Sequence, residues 1–449
     1  MVNRATMELA ASSGEGAVTQ PSGMRSQVVF WVLAIGVTST LLVLRRPDAV
    51  FHAQLWAEDG VVWFADAYNH GGLRALLFAR DGYLQVFPRL VAAIALWVPL
   101  VRVPLVFNLI ALAVEALPPL FLVSSRMRNV GSLPLRCVLA LLYLFVPDST
   151  EVHAIITDSQ SQLAVLACLV LIAEAPRSWP GRIFDVAVLA MCALTTPMGM
   201  LLLAVALART VLSILVGRGE KSSASGRETS WRWIQLSVLG VCAVLQGLTL
   251  LTTAGARLNT ILGASTGKFV RIVAGQIVLP VFQGSNRLDR MSSDPARVTA
   301  LAVLVTSVSA LVVLYALLHG SLELRCFLFF ALLVLAAALT FPTVEPVYYQ
   351  WDVFLVPEWG MRYWYIPKLA VMATLMWLLS RGRPLAIRLT AAGLTCIMAF
   401  ALVTHWRYPA FPDFHFDSYV RIFEQLPPGA TGQFRLNPGG PWIMKLVKR

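Results

Sequence analysis

Charged side chains are scarce in this sequence. Aspartate, glutamate, lysine and arginine make up 13% of its 449 residues, whereas 57% are hydrophobic and the mean hydropathy is +0.70. A soluble domain of ordinary composition carries about 25% charged residues. The shortage of charge therefore excludes an ordinary soluble protein and indicates one that lies in a membrane.

The signatures of several soluble enzymes are also missing. There is no phosphate-binding loop, dinucleotide fingerprint or nucleophile elbow. The six cysteines stand in hydrophobic segments and, like the histidines, show no metal-ligand spacing, so we expect neither a disulfide framework nor a structural metal. The net charge of +12 is dispersed over short loops, which is typical of membrane topology signals and not of a nucleic-acid groove.

Apolar runs long enough to cross a bilayer recur along the whole chain. They predict an all-α integral membrane protein with about eleven transmembrane helices. Two further stretches, 84–100 and 269–283, contain proline, arginine or glutamine and are predicted as juxtamembrane or re-entrant helices. The predicted spans are 27–45, 103–124, 135–147, 160–175, 183–196, 198–216, 233–252, 297–318, 324–341, 365–380 and 387–404.

Basic residues in the short loops orient these spans, because such loops stay in the cytoplasm. Arg45 and Arg46, just beyond the first span, are an exception to the pattern. The segments assigned to the cytoplasm are 124–136, 176–182, 217–232 and 381–388.

This orientation predicts a protein of the plasma membrane whose chain has three parts. Residues 1–26 are a polar cytoplasmic tail without the features of a signal peptide, so the first span is expected to stay attached. Residues 27–404 are the polytopic domain, with an acidic extracytoplasmic first loop at 46–102. Residues 405–449 are a short extracytoplasmic tail, too small to bury a good core alone.

The first loop contains two adjacent carboxylates in Trp56-Ala57-Glu58-Asp59-Gly60. One of them can act as a general base while the other orients an arginine, a metal or the loop. A solvated helix N-terminus explains such a pair equally well. The amphipathic spacing from Trp56 to Phe78 predicts a helix flat on the outer leaflet, with Glu58 and Asp59 at the water boundary.

A second polar cluster follows at residues 147–160. Asp148 and Glu151 have the spacing of a capping box for a helix that begins near Asp148. Glu151 and His153 can still face the same outer cavity as the first loop. Glu115 lies inside a predicted span, where an ionisable residue indicates a functional site. The sequence shows no evident basic partner for it.

A third cluster surrounds Arg362 and Tyr363, just before a predicted span. A guanidinium among aromatic rings suits the phosphate of a lipid-linked ligand. An aromatic belt with a snorkelling arginine explains the residues equally well. Lys268 and Arg271 are weaker candidates for the same anionic ligand.

This arrangement resembles the GT-C superfamily of integral-membrane glycosyltransferases. Its members carry one or two acids in the first extracytoplasmic loop, a second acidic loop two spans later and a basic-aromatic motif near a late helix. The matching pieces are Glu58-Asp59, the 147–160 loop and Arg362-Tyr363. Short motifs along nearly the whole chain also resemble bacterial membrane proteins without an assigned reaction. These motifs are Trp56-Ala57-Glu58-Asp59-Gly60, Gly82-Tyr83-Leu84, Pro88-Arg89-Leu90, Thr196-Pro197 and Asn437-Pro438-Gly439-Gly440-Pro441-Trp442.

The resemblance implies inverting transfer of a sugar from a polyprenyl-phosphate donor in the outer leaflet to a hydroxyl of an envelope glycan, lipid or protein. It implies Asp59 as the general base, Glu58 as its alternative or support, and Arg362 as the ligand of the donor phosphate. The dispersed acids of the second loop replace a tight Asp-x-Asp. That argues against an obligatory divalent metal without excluding one, so no cofactor is expected.

Two other functions stay open. A transporter for a lipid or glycan precursor would use polar groups near the membrane midplane, and Glu115 is the residue most consistent with it. The absence of a sequence repeat and the position of the charges at the outer face favour a surface reaction instead. A non-catalytic scaffold of GT-C type is the third possibility.

Overall fold

The computed structural model describes residues 23–216, 225–253, 261–342 and 348–449. Most of the predicted N-terminal tail and most of the Ser/Gly-rich stretch near residue 220 lie outside them. Within the described residues the protein is a bundle of helices with one small β-hairpin. Each of the eleven predicted spans coincides with a helix. These helices are Met24–Arg45, Val103–Val123, Leu133–Leu144, Ser159–Ile172, Trp179–Thr195, Met198–Val216, Ser225–Thr252, Pro295–His319, Leu322–Thr340, Met361–Leu378 and Leu385–Thr404.

Among the described residues, six helical segments are long and apolar enough to cross a membrane, judged by length and composition. This makes the chain a multi-pass membrane protein by composition, while the total of eleven crossings stays a prediction. The six are Met24–Arg45, Leu100–Val123, Glu228–Thr252, Pro295–His319, Leu322–Thr340 and Leu385–Thr404.

The helix Ser159–Ile172 lies at the centre of the bundle. Nearly all of its side chains are buried, and it packs against the helices Val103–Val123, Trp179–Thr195 and Met198–Val216. A helix that is apolar on every side is stable only when protein or lipid surrounds it. Asp158 directly precedes this helix, so the packing of the helix fixes the position of Asp158.

The first loop is helical but not one continuous amphipathic helix. A π-helical turn, Asp59–Phe64, leads into Ala65–His70, and Gly71 then interrupts the helix at a φ of 93°. Trp63 and Ala67 are buried as the spacing predicts, whereas Leu73 is 84% exposed. The apolar face therefore ends at the break.

Both stretches predicted as non-spanning have short or broken helices. Val86–Ala95 has ten residues, about 15 Å at 1.5 Å per residue, which is half of a bilayer core. Its Arg89 is buried and donates a hydrogen bond of 3.1 Å to Asp66. Residues 266–283 form three short helical pieces, and Gln276 donates to the carbonyl of Phe354 at 2.7 Å. Irregular backbone at such a depth is tolerated when protein surrounds it.

The C-terminal tail folds by sharing a core with the first loop. It forms the helix Phe416–Glu424 and an antiparallel hairpin of Thr431–Arg435 with Ile443–Val447. Asn69 of the first loop donates to the carbonyl of Lys445 at 3.0 Å and accepts from the backbone of Val447 at 2.9 Å. The tail therefore needs no large core of its own.

The described residues of two basic segments, 124–136 and 217–232, contact residues that flank the segment 176–182 at one end of the bundle. Arg126 forms a bidentate pair with Asp185 at 2.6 and 2.8 Å. The backbone N–H of Ala175 donates to Glu228 at 3.0 Å. The first loop, the 148–158 loop and the start of the helix Met361–Leu378 meet at the opposite end. Which end faces the cytoplasm remains a prediction.

Candidate functional site

Asp158 occupies the N-terminus of the central helix and lacks a hydrogen-bonding partner. Its residue is 1% exposed, and neither carboxylate oxygen accepts a hydrogen bond within the described part of the chain. The nearest cationic atom is Nη1 of Arg362, at 3.9 Å. Burial raises the pKa of Asp158 well above its usual range, and Arg362 offsets only part of this effect. A buried polar group without a partner is costly and needs a functional explanation.

Arg362 lies in the first turn of the helix Met361–Leu378, where it is joined to the second loop. Its backbone N–H donates to Glu151 at 3.3 Å, and its guanidinium lies 5.2 Å from the ring centroid of Tyr363. The preceding Gly360 has a φ of 66°, which favours glycine and allows the chain to turn into the helix. The structure thus brings Arg362, Tyr363 and Glu151 together, as the sequence predicts.

Asp59 is buried beneath this cluster, and the prediction that it lies at the water boundary is wrong. Its carboxylate accepts hydrogen bonds from the backbone N–H groups of Ile156 at 3.0 Å and Thr157 at 2.8 Å, and from the Thr157 hydroxyl at 2.6 Å. Burial raises its pKa to about 7, although the hydrogen bonds from Thr157 and Ile156 oppose the shift. These hydrogen bonds to Asp59 join the first loop to the second loop.

Glu58 is the more accessible acid of the pair. It is half-buried, and within the described residues its carboxylate makes no hydrogen bond or ion pair. Its negative charge contributes to the raised pKa values of both Asp158 and Arg362, so Glu58 lies near them. Glu58, Glu151 and Arg362 therefore form the accessible rim of a cluster whose buried members are Asp59 and Asp158.

His153 belongs to a different contact. Its Nδ1 lies 3.0 Å from the carboxylate of Glu115, whose other contact is the backbone N–H of Ala154 at 3.4 Å. Burial lowers the pKa of His153, against the opposing charge of Glu115. The structure thus supplies the partner that the sequence did not reveal for Glu115, and it directs His153 away from the predicted ligand site.

The two arginines that violate the topology pattern are buried. The guanidinium of Arg45 donates to the carbonyls of Leu144 and Val146 and to the hydroxyl of Tyr408. Arg46 lies 3.8 Å from the ring centroid of Phe411. They join the first helix to the 144–148 segment and the tail, so their positions follow from packing and not from the positive-inside rule.

Lys368 was missed by the sequence analysis. It is fully buried and donates to the carbonyl of Asp148 at 2.6 Å and to its carboxylate at 3.1 Å. The signal was a lysine inside the predicted span 365–380, where an ionisable residue always requires a partner. The predicted capping role of Asp148 is wrong, because Asp148 has a φ of 49° and the helix begins only at Ser159.

Lys268 and Arg271 have other partners. Lys268 pairs with Asp352 at 2.6 Å, and Arg271 pairs with Asp289 at 2.7 Å. Neither ion pair involves an acid of the Asp158 cluster. These ion pairs therefore do not support the prediction that Lys268 and Arg271 bind the same anionic ligand as Arg362.

Within the described ranges, no three His, Cys, Asp or Glu side chains are placed so that together they could hold a metal ion. The cluster is instead four carboxylates around one guanidinium. Such a site can bind an anionic group through Arg362 and accept a proton at a carboxylate. The expectation that no metal is required stays a prediction.

Comparison with known proteins identifies no family. No protein-family model and no curated protein matches the sequence. The structure is similar to the crystal structure of the Archaeoglobus fulgidus oligosaccharyltransferase tethered to an acceptor peptide containing the NVT sequon, with a TM-score of 0.43 and 10% sequence identity. The match covers 89% of this chain and 57% of that protein, so the chain corresponds to little more than half of its length. A likeness at this TM-score supports no assignment by itself.

Proposed function

We propose that the protein is a membrane glycosyltransferase of GT-C type, which transfers a sugar from a polyprenyl-phosphate donor at the outer face of the plasma membrane. The acceptor is a hydroxyl of an envelope glycan, lipid or protein. The observation that supports this proposal is the buried Asp158, which lies 3.9 Å from Arg362 and accepts no hydrogen bond from the described residues. A buried carboxylate without a hydrogen-bond partner beside a guanidinium calls for a functional explanation.

Arg362 is the proposed ligand of the donor phosphate. Its side chain is 23% exposed, so the guanidinium can reach a ligand while Glu151 holds its backbone. Burial raises the pKa of Asp59 to about 7, which reduces its negative charge near neutral pH, and burial raises the pKa of Asp158 as well. A guanidinium pairs bidentately with phosphate, which makes Arg362 the proposed ligand among the residues of this cluster.

Glu58 is the proposed general base, in preference to Asp59. A base must reach the proton that it removes, and Glu58 is half-buried whereas Asp59 is 1% exposed with all its contacts in the second loop. The acceptor O–H transfers its proton to Glu58 as its oxygen attacks the anomeric carbon. The bond from that carbon to the phosphate oxygen breaks with inversion. Polyprenyl phosphate leaves, and Arg362 stabilises its charge. Asp59 acts as a positioning residue.

The alternative function is a transporter for a lipid or glycan precursor, with which Glu115 is the most consistent residue. In the structure Glu115 pairs with His153 at 3.0 Å. The other alternative is a scaffold that binds the lipid-linked sugar without transferring it. The following experiments distinguish such a scaffold from an enzyme.

The experiment uses a deletion strain of the source organism that expresses wild-type protein, Glu58→Gln, Arg362→Ala or the exposed-acid control Glu424→Gln. Mass spectrometry of its envelope glycans and glycolipids measures the transferred sugar. We expect a loss of about 10²–10⁴-fold in that sugar with Glu58→Gln and a comparable loss with Arg362→Ala, at normal protein abundance. The control should match wild type.

Binding separates the roles of the two residues. Purified Glu58→Gln should bind polyprenyl phosphate like wild type, whereas Arg362→Ala should bind it more weakly, with Arg421→Ala as the matched control. Unchanged glycans in Glu58→Gln together with normal lipid binding would indicate the scaffold. Unchanged binding in Arg362→Ala would remove the phosphate assignment.

A further inference from the structure

A cavity lies away from the Asp158 cluster. Its volume is about 390 Å³, within the range of about 300–1,000 Å³ for small-molecule sites. It opens between the short helix Leu279–Gln283, the turn Leu288–Arg290 and the C-terminal end of the helix Leu385–Thr404. No residue of the Asp158 cluster contributes to its lining. Among the lining residues are Phe282, Gln283, Arg287, Arg290, Phe400 and His405.

The charge of this cavity is positive and uncompensated. It is lined by two arginines and by no acid. Asp289, which lies between them in sequence, pairs with Arg271 at 2.7 Å. The guanidinium of Arg290 makes no hydrogen bond or ion pair with any described residue. Both arginines are exposed, so their guanidinium groups are accessible to an anionic ligand.

Arg287 is held in place by His405. Nδ1 of His405 lies 3.1 Å from the carbonyl of Ala401 and 2.8 Å from the hydroxyl of Thr404. Nε2 accepts from Nη2 of Arg287 at 3.1 Å. Gly284 makes this possible, because a Cβ there would lie 2.3 Å from the imidazole ring. His405 therefore orients one guanidinium at the cavity.

The surroundings of the cavity favour a lipid. The helix Leu385–Thr404 exposes Ile397, Phe400 and Val403 (53%, 73% and 66%) just before its end at the cavity. Phe400 also lines the cavity itself. Apolar side chains that lead from the membrane face to two arginines match a molecule with hydrocarbon chains and a charged head.

We infer that this cavity binds the phosphodiester headgroup of an anionic bilayer lipid, with Arg290 and Arg287 as its ligands and the exposed face of the helix Leu385–Thr404 as the path of its acyl chains. A guanidinium pairs with phosphate oxygens through charge-assisted hydrogen bonds. Basic pockets between membrane helices recognise lipid headgroups in this way. The site is independent of the proposed glycosyl transfer.

Native mass spectrometry of the purified protein with equal amounts of phosphatidylglycerol and phosphatidylcholine tests the inference. Wild type should retain phosphatidylglycerol selectively. Arg290→Ala should retain it about tenfold more weakly, the loss expected for one charge-assisted hydrogen bond. Arg290→Ala removes no contact within the described residues, so its fold should be intact. Arg290→Lys should restore part of the retention. The control Arg297→Ala removes an 82% exposed side chain and should match wild type.

Equal retention of phosphatidylglycerol by wild type and Arg290→Ala would overturn the inference. Displacement of the lipid by millimolar inorganic phosphate would also overturn it, because the site would then recognise free phosphate. The variant Asp158→Asn, which changes the proposed transferase site, should retain phosphatidylglycerol like wild type. The lipid-binding proposal and the transferase proposal can therefore each be refuted without refuting the other.

Discussion

The hydroxyl of Thr157 donates a hydrogen bond of 2.6 Å to the carboxylate of Asp59, which lies 98 residues earlier in the chain. The direction of this bond is settled by Trp63, whose indole N–H donates to the same hydroxyl at 2.8 Å. An indole N–H can only donate, so the hydroxyl proton is free to point at Asp59. This chain of three side chains joins the two loops on which the proposed site is built.

Loss of the Thr157 hydroxyl should therefore loosen the site. Thr157→Val leaves the indole N–H of Trp63 without its acceptor and removes one of the three hydrogen bonds to the Asp59 carboxylate, at a cost of about 1–3 kcal/mol in the free energy of unfolding. Thermal unfolding in detergent should show a lower melting temperature than wild type. Thr157→Ser, which keeps the hydroxyl, should restore most of the loss. Thr340→Val, at an exposed threonine that bonds only within its own helix, is the control. Equal stability of all three variants would contradict the assignment.

The carboxyl of Asp59 should make stability depend on pH. Its pKa in the folded protein is raised from 3.8 to about 7, chiefly by burial, so the folded state binds this proton more tightly than the unfolded chain. The stabilisation is complete below about pH 4 and is lost as the pH rises through about 7. We expect the melting temperature of wild type to fall more than that of Asp59→Asn between about pH 5 and pH 8. The exposed control Asp417→Asn should keep the wild-type slope. Parallel slopes for wild type and Asp59→Asn would refute the raised pKa.

The ion pair of Lys368 and Asp148 should be required for folding. Lys368→Met leaves a buried carboxylate without its partner, which costs about 3–5 kcal/mol. Removal of both charges in Lys368→Met/Asp148→Asn should recover most of this loss, because asparagine tolerates the positive φ at that position. Protein yield and melting temperature in detergent measure the effect. Lys445→Met, at an exposed lysine, is the control. A single variant as stable as the double variant would show that the pair contributes nothing.

The two ends of the bundle should lie on opposite sides of the membrane. We expect Glu424→Cys in the tail to react with an impermeant maleimide in intact cells, and Arg128→Cys to react only after permeabilisation. The six native cysteines are replaced in this background, since Cys396 is exposed. Both positions are exposed at their surfaces. Labelling of both from the same side would refute the orientation.

The helices were predictable because a bilayer imposes a length and a hydrophobicity on each span. Each predicted span coincides with a helix, and the stretch around Arg89 is short, as its proline and arginine indicate. The amphipathic helix after Trp56 was predicted too long. Hydrophobic spacing alone does not reveal that Gly71 adopts a positive φ and ends the helix.

The candidate site was only partly predictable. Glu58, Glu151 and Arg362 stand out as charged residues in apolar surroundings, and the structure brings them together. Asp158 and Lys368 were passed over, and His153 was assigned to the wrong environment. Their roles depend on partners 38 to 220 residues away, such as Glu115 for His153 and Asp148 for Lys368. Spacing along the chain contains no information on such pairs.

The sequence by itself determined that this protein lies in a membrane and which of its residues are polar enough to form a site. A shortage of charge and runs of hydrophobic residues are properties of composition, and they need no knowledge of packing. Only the tertiary structure decided which carboxylate is held by hydrogen bonds, which is accessible and which is buried without a hydrogen-bond partner. Those differences arise from desolvation and hydrogen bonding, which exist only after distant segments have been brought into contact.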